Sequence, residues 1–159
     1  TQETEKGGSG QYMNIFNIFS PGSGNKEKTN PMKENSMDIS KLNKAMDELK
    51  EYSNGGAFTS DIYATRDGQS IVAFNSNPVA SAMFNQITQY IATTMKESGL
   101  PALGKYYIIE LQGNISVIVI NLGDYQWGMA VDTKICSLGM MINIVIPHIT
   151  TLFRSAVPS

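Results

Sequence analysis

The chain has 159 residues, a length that suits one folded domain with a tail. Charged residues make up 16% of it, below the roughly 25% that is typical, so much of the surface is expected to lie against other protein. The formal net charge of −2 argues against a nucleic-acid partner, which would need clustered Lys and Arg. The one cysteine, Cys136, excludes an internal disulfide framework and is compatible with a cytoplasmic location.

The first 37 residues are predicted to form a disordered tail, because Gly, Ser, Asn, Lys and Glu dominate them. Gly7-Gly8-Ser9-Gly10 looks like an expression linker, so part of the tail is interpreted as tag-derived, with Met13 as the native start. Met13–Phe19 is apolar but far too short to span a bilayer. We interpret it as an N-terminal arm, which is either simply sticky or a peptide that docks on a partner or a membrane surface. Any membrane association would come only through this arm.

The folded domain is predicted to span residues 38–157. Helical spacing of apolar residues predicts a first helix that begins near Asp38 and ends at Asn54-Gly55-Gly56. Two strands are expected next, over residues 57–64 and 70–74, joined by a hairpin turn in which Asp67-Gly68 supplies the positive φ. A long central helix then begins at Pro78, with Asn77 as its cap.

The central helix lies within a stretch, Asp67 to Lys96, that has no charged side chain between its ends. A surface helix normally carries Lys and Glu on its outer face, whereas this one carries Asn, Gln, Ser, Thr, Ala and Tyr. Such a face is cheap to desolvate, because no ion has to lose its hydration. We therefore expect the helix to be covered on more than one side, most simply by a second copy of the chain. The alternative is a helix that is uncharged and simply solvated.

Three strands and a final helix complete the predicted domain. β-Branched and aromatic residues with short turns predict an antiparallel meander over 106–111, 115–122 and 126–131. The last element, residues 135–153, lacks charges and is long enough to raise the question of a membrane span. Asn143, Pro147 and His148 argue against a span, so a helix lying across the sheet is expected, kinked at Pro147.

The order of these elements resembles that of the roadblock/LC7 domain family. The resemblance is carried by residues 62–73 around the Asp-Gly turn, Ala80-Ser81-Ala82, residues 117–122, and Ser137-Leu138-Gly139. It implies an α+β fold, an α/β sandwich of order α-β-β-α-β-β-β-α. A five-stranded antiparallel sheet would have the long helix on one face and the N- and C-terminal helices on the other.

The resemblance also implies a function, because bacterial and archaeal members of the family are homodimeric regulators or scaffolds of small Ras-like GTPases. Two copies would pair edge to edge through the third strand, with the two long helices antiparallel over the seam. An edge at residues 106–111, with only Lys105 and Glu110 to discourage pairing, fits this arrangement. The residues expected at the dimer interface are Met83, Gln86, Ile87, Tyr90, Ile91, Thr94, Tyr106, Tyr107 and Ile109.

By the same resemblance, the GTPase is expected to bind over the paired central helices. The expected contacts are the outward polar residues Asn85, Gln89 and Thr93, with Lys96 and Glu97 at the rim. No arginine on this helix could act as an inserted finger. Any effect on hydrolysis is therefore expected to come from repositioning the GTPase's own catalytic loops.

Catalytic signatures are missing from the sequence, so an enzyme is not expected. There is no P-loop, and one histidine with one cysteine cannot form a zinc cluster, so neither cofactor nor metal is expected. Two other functions stay open. One is a small-molecule sensor of the PAS or profilin-like kind, which needs an apolar pocket between sheet and helices. The other is a polymer- or membrane-associated scaffold recruited by the N-terminal arm.

Overall fold

The structure, a computed structural model of the chain, describes residues 37–158. The arm at Met13–Phe19, and the predicted tail apart from Met37, lie outside the described residues. In chain order the elements are α1 (Ile39–Tyr52), β1 (Ala57–Ala64), β2 (Ser70–Phe74), α2 (Pro78–Glu97), β3 (Tyr106–Leu111), β4 (Ile115–Leu122), β5 (Tyr125–Asp132), α3 (Leu138–Met140), a π-helical segment (Met141–Val145) and α4 (Ile146–Ala156). We call the last three elements together the C-terminal helix.

The five strands form one antiparallel sheet in the order β2-β1-β5-β4-β3. Alternation along the strands sends side chains to two separate cores. On one face Ile62 and Trp127 pack with buried residues of α1 and the C-terminal helix. On the other face Tyr63 and Val119 pack with Phe84 of α2. The predicted α+β sandwich and its division of helices between the two faces are confirmed.

The β1–β2 hairpin has the predicted Asp-Gly turn. The Asp67 side chain accepts a hydrogen bond from the Gln69 N–H at 3.1 Å, and Gly68 has a φ of +70°. Gly68 is also pressed against α2, because a Cβ at this position would lie 3.3 Å from the Ala82 Cα. This close approach fixes the hairpin beneath the start of α2.

The C-terminal helix departs from the prediction at both ends and in its middle. Ile135 belongs to a turn closed by the Asp132 carbonyl, so the helix begins only at Leu138, where the Ser137 hydroxyl caps it, and it ends at Ala156. The distortion expected at Pro147 lies just before it, as the π-helical segment Met141–Val145. Pro147 itself sits in the first turn of α4, where its missing N–H is tolerated. Within residues 37–158, no helix combines the length and the apolar character needed to cross a membrane.

Candidate partner-binding surface

The candidate surface is built on α2 and the edge strand β3. The Asn77 side chain caps α2 by accepting a hydrogen bond from the Ala80 N–H at 3.0 Å, and Pro78 occupies the first position. The buried residues of α2 are Ala80, Ser81, Phe84 and Thr88. All of them lie at or before Thr88, so the second half of the helix has no buried residue.

A hydrogen bond marks the point where α2 reaches the edge of the sheet. The Thr88 Oγ1 lies 2.7 Å from the hydroxyl oxygen of Tyr107, a residue of β3. Burial raises the pKa of Tyr107, and the hydrogen bond with Thr88 opposes that rise. After Thr88 the helix continues for roughly 14 Å, at a rise of about 1.5 Å per residue. This second half therefore extends from the sheet edge with little cover.

Apolar side chains on the second half of α2 remain accessible. Ile91 and Met95 are half-buried, and the Tyr90 side chain is 73% exposed. No charged residue precedes Lys96 on this helix, so no charged side chain would lose its hydration if this face were buried. A face of this composition is suited to burial against another protein.

Among residues 37–158, the neighbouring strand β3 pairs with β4 alone and is the last strand on its side of the sheet. Tyr107 and Ile109 pack on the α2 side, while Tyr106 packs on the opposite side. Glu110 is the one exposed charge within the strand. An edge with so few charges is suited to pairing with a strand of another chain.

The residues expected at the dimer interface fall around this junction of α2 and β3. Met83, Ile87, Tyr107 and Ile109 are partly buried in one apolar cluster beneath α2. The remaining five comprise half-buried Ile91 and Tyr106 and exposed Gln86, Tyr90 and Thr94. Their contact with a second copy stays a prediction.

Four of the five expected partner contacts, Gln89, Thr93, Lys96 and Glu97, are exposed on α2. The outward orientation expected for Asn85 is wrong. Its side-chain amide donates a hydrogen bond to the Thr65 carbonyl at 3.0 Å, and its Oδ1 is buried without a partner among the described residues. Asn85 turns inward because the β1–β2 hairpin packs against α2 at this point.

Asp61, in the middle of β1, has an environment that the sequence did not predict. Its carboxylate accepts hydrogen bonds from Ser70 Oγ at 2.7 Å and from Ser76 Oγ at 3.0 Å. Burial raises the pKa of Asp61 from 3.8 to about 7, although the two hydrogen bonds act to lower it. The sequence did contain one indication of this burial: side chains alternate along a β-strand, so Asp61 lies on the same sheet face as Tyr63, which is buried.

A small cleft opens beside Asp61, beneath the start of α2. Its lining includes Thr59, Tyr63, Ser76, Phe84 and Gly128. Its free volume is about 10 Å³, which is the space of one water molecule. Small-molecule sites usually occupy about 300–1,000 Å³, so this cleft does not provide the pocket that a sensor would need. Within residues 37–158, no three or more His, Cys, Asp and Glu side chains are grouped to hold a metal.

The fold can be compared with known proteins. No protein-family model matches the sequence, and no curated protein matches it. Solved structures do match: MglB of Myxococcus xanthus has a TM-score of 0.62 at 16% identity, covering 73% of this chain and 94% of that one. The gliding protein MglB of Thermus thermophilus has a TM-score of 0.58 at 11% identity, covering 74% and 91%. The chain has a roadblock/LC7-type fold.

A third structure, described as MglB with a tetrameric arrangement, has a TM-score of 0.57 at 11% identity and covers 74% of this chain and 93% of that one. The predicted resemblance to the roadblock/LC7 type is thus confirmed for the fold. At 11–16% identity, the similarity establishes the architecture alone.

Proposed function

We propose that this roadblock-type protein is a non-enzymatic, cytoplasmic homodimer that binds and regulates a small Ras-like GTPase. The observation that carries the proposal is that two uncovered apolar features meet at one end of the sheet. They are the open edge of β3 and the second half of α2, joined through Thr88 and Tyr107. A second copy of the chain would cover both at once.

In the proposed dimer, β3 of one protomer pairs with β3 of its partner and continues the sheet. The two α2 helices pack antiparallel across the seam. Ile91 and Met95, half-buried in the single chain, would complete their burial between the helices. The lack of charge on α2 before Lys96 supports this arrangement, because no ion has to be desolvated.

The proposed GTPase site is the outer face of the paired α2 helices. Gln89, Thr93 and Lys96 are exposed there, and a dimer would present two such helices to one monomeric partner. This polar but mostly uncharged face can form hydrogen bonds at low desolvation cost. Because α2 contains no arginine, an effect on GTP hydrolysis would come from repositioning the GTPase's own loops.

The test is capture of small GTPases from native extract in the presence of a non-hydrolysable GTP analogue. Gln89→Arg adds a long charged side chain to the proposed site. Asn43→Arg makes a similar change at an exposed position of α1, across the sheet. We expect wild type and Asn43→Arg to retain the same GTPase and Gln89→Arg to retain at least tenfold less. Equal retention by all three proteins, or retention of no GTPase, contradicts the proposal.

A further inference from the structure

The C-terminal helix has an exposed apolar face on the side of the sheet opposite α2. Met140 is 42% exposed and Ile144, one turn later, is 47% exposed. Ile135, in the turn that leads into the helix, is 51% exposed. No Lys, Arg, Asp or Glu occurs between Lys134 and Arg154, so the helix itself brings no ion to this face. Within residues 37–158, the nearest charge that contacts the helix is Glu48 of α1, which binds His148, one turn after Ile144. The contacts proposed for the dimer and the GTPase do not use this face.

The helix is distorted where this face lies. The π-helical segment Met141–Val145 keeps Met141 and Val145 fully buried in the core, while Ile144 remains outside. The side-chain amide of Asn143, which precedes Ile144 in the chain, donates a hydrogen bond to the Gly139 carbonyl at 2.8 Å and is thus turned to its own backbone. The exposed surface around Met140 and Ile144 is therefore mainly apolar.

The start of the described chain lies on the same side of the sheet. Met37 packs against the core formed by α1 and the C-terminal helix, and the Asp38 N–H donates a hydrogen bond to the Ala156 carbonyl at 2.9 Å. The residues before Met37 therefore connect to the domain at the far end of α4. They do not start from the α2 side.

The preceding sequence contains an apolar segment of matching chemistry. Met13–Phe19 carries Ile15, Phe16, Ile18 and Phe19, separated only by asparagine and without charge. Residues 20–36 lie between Phe19 and Met37, and this stretch of chain can span up to roughly 60 Å when extended. Met140 lies only about 24 Å along the helix from Ala156, at about 1.5 Å per residue. The arm can thus reach the face.

We propose that the face around Met140 and Ile144 is the docking site of the chain's own N-terminal arm, Met13–Phe19. Attachment through a short linker gives the arm a high effective concentration at this face, which a separate molecule lacks. Two apolar segments that carry no Lys, Arg, Asp or Glu of their own then bury each other, and Phe16 and Phe19 supply most of the apolar area. The arm would be released when a stronger partner competes for it.

The test uses the full chain labelled with ¹³C at its methionine methyl groups. Met140 reports on the face, Met13 reports on the arm, and Met95 on α2 is the internal reference; each signal is assigned by its Met→Leu variant. We expect Phe16→Ser/Phe19→Ser to move the Met140 signal toward the position of a solvent-exposed methionine and to leave Met95 unchanged. An unchanged Met140 signal overturns the proposal.

The reciprocal variant is Ile144→Asp, which places a charge on the face without touching the core. It is expected to sharpen the Met13 signal to that of an unbound peptide. Its matched control is Val79→Asp, at an exposed apolar position of α2 outside the proposed interface, which is expected to leave Met13 unchanged. If Ile144→Asp leaves the Met13 signal unchanged, or if Val79→Asp also releases the arm, the proposal is wrong.

A mixing experiment separates the chain's own arm from that of another molecule. Labelled wild type is mixed with a tenfold excess of unlabelled Phe16→Ser/Phe19→Ser chain. An arm docked on its own chain leaves the Met140 signal in place. A Met140 signal that moves on mixing shows that arms exchange between chains. A Met140 signal that moves with protein concentration, in wild type and in Phe16→Ser/Phe19→Ser alike, shows that a second copy covers the face. Either result overturns the proposal.

Discussion

Asp61 is a carboxyl group enclosed between the β1–β2 hairpin and the start of α2. Ser70 and Ser76 donate hydrogen bonds to its two oxygens, yet burial is the larger influence and raises the pKa to about 7. The folded protein therefore holds a proton on Asp61 at pH values where the unfolded chain has released it. The stability contributed by this proton is fully present below about pH 4 and is lost as the pH rises toward 7.

Asp61→Asn should remove this dependence, because the amide resembles the protonated carboxyl group. We expect the variant to exceed wild type in free energy of unfolding by up to about 4 kcal/mol at pH 8, and by less at pH 5. Urea denaturation at the two pH values measures the difference. Asp124→Asn, at an exposed turn position, is the control. A variant whose stability changes with pH as much as that of wild type would refute the expectation.

Asn85 illustrates how one contact can override a helical pattern. Its position along α2 groups it with the outward polar residues, but its amide binds the Thr65 carbonyl, twenty residues away in the sequence. The turn that brings Thr65 there depends on Gly68, whose missing side chain allows the hairpin to approach Ala82. The orientation of Asn85 is thus determined by its contact with Thr65 in the β1–β2 hairpin, which the helical spacing of residues in α2 cannot predict.

At the scale of elements, α2 consists of two halves with different surroundings. The half up to Thr88 covers the sheet and supplies Phe84 to the core, whereas the half after it carries Tyr90, Ile91 and Met95 with little cover. A helix of one chain rarely leaves such a stretch open unless another surface covers it.

Ile91→Glu should weaken the proposed dimer, because the charge would be buried at the seam between the two helices. In a single chain the position is only half-buried, so the variant is expected to fold. We expect sedimentation to show a dimer for wild type and at least a tenfold weaker association for Ile91→Glu. Ile39→Glu, at an exposed isoleucine of α1, is the matched control and should remain dimeric. A wild-type monomer would contradict the proposed assembly directly.

The C-terminal helix is also an element in two parts, but for a different reason. Its first part ends in the π-helical segment Met141–Val145, and its second part is α4, which has Pro147 in its first turn. The sequence predicts a helix kinked at Pro147, but it does not locate the π segment before that residue, because no local sequence rule specifies one.

At the scale of the whole molecule, the sheet has β2 at one edge and β3 at the other. The pair α1 and C-terminal helix covers one face, while α2 covers the other only in part. In the proposed dimer, α2 of the second copy would complete the helical layer on the face that α2 covers only in part.

A dimeric fold would make the stability of the molecule depend on its concentration. If folding and association are linked, a tenfold rise in protein concentration should raise the apparent free energy of unfolding by about 1.4 kcal/mol per dimer. Thermal denaturation over a hundredfold concentration range measures this. The Ile91→Glu variant should show a much smaller dependence, and a wild-type midpoint that does not move would argue for a stable monomer.

The sequence alone determined the order of the elements, the turn at Asp67-Gly68 and the cap at Asn77. These features depend on residues that are close together in the chain, so periodicity and turn chemistry are sufficient to predict them. The division of helices between the two faces was implied by the resemblance to the roadblock/LC7 type. Only the tertiary structure decided the burial of Asp61, the inward turn of Asn85 and the π segment. The burial of Asp61 and the inward turn of Asn85 result from contacts between residues distant in the sequence, because the packing of α2 on the hairpin determines which polar groups lose water.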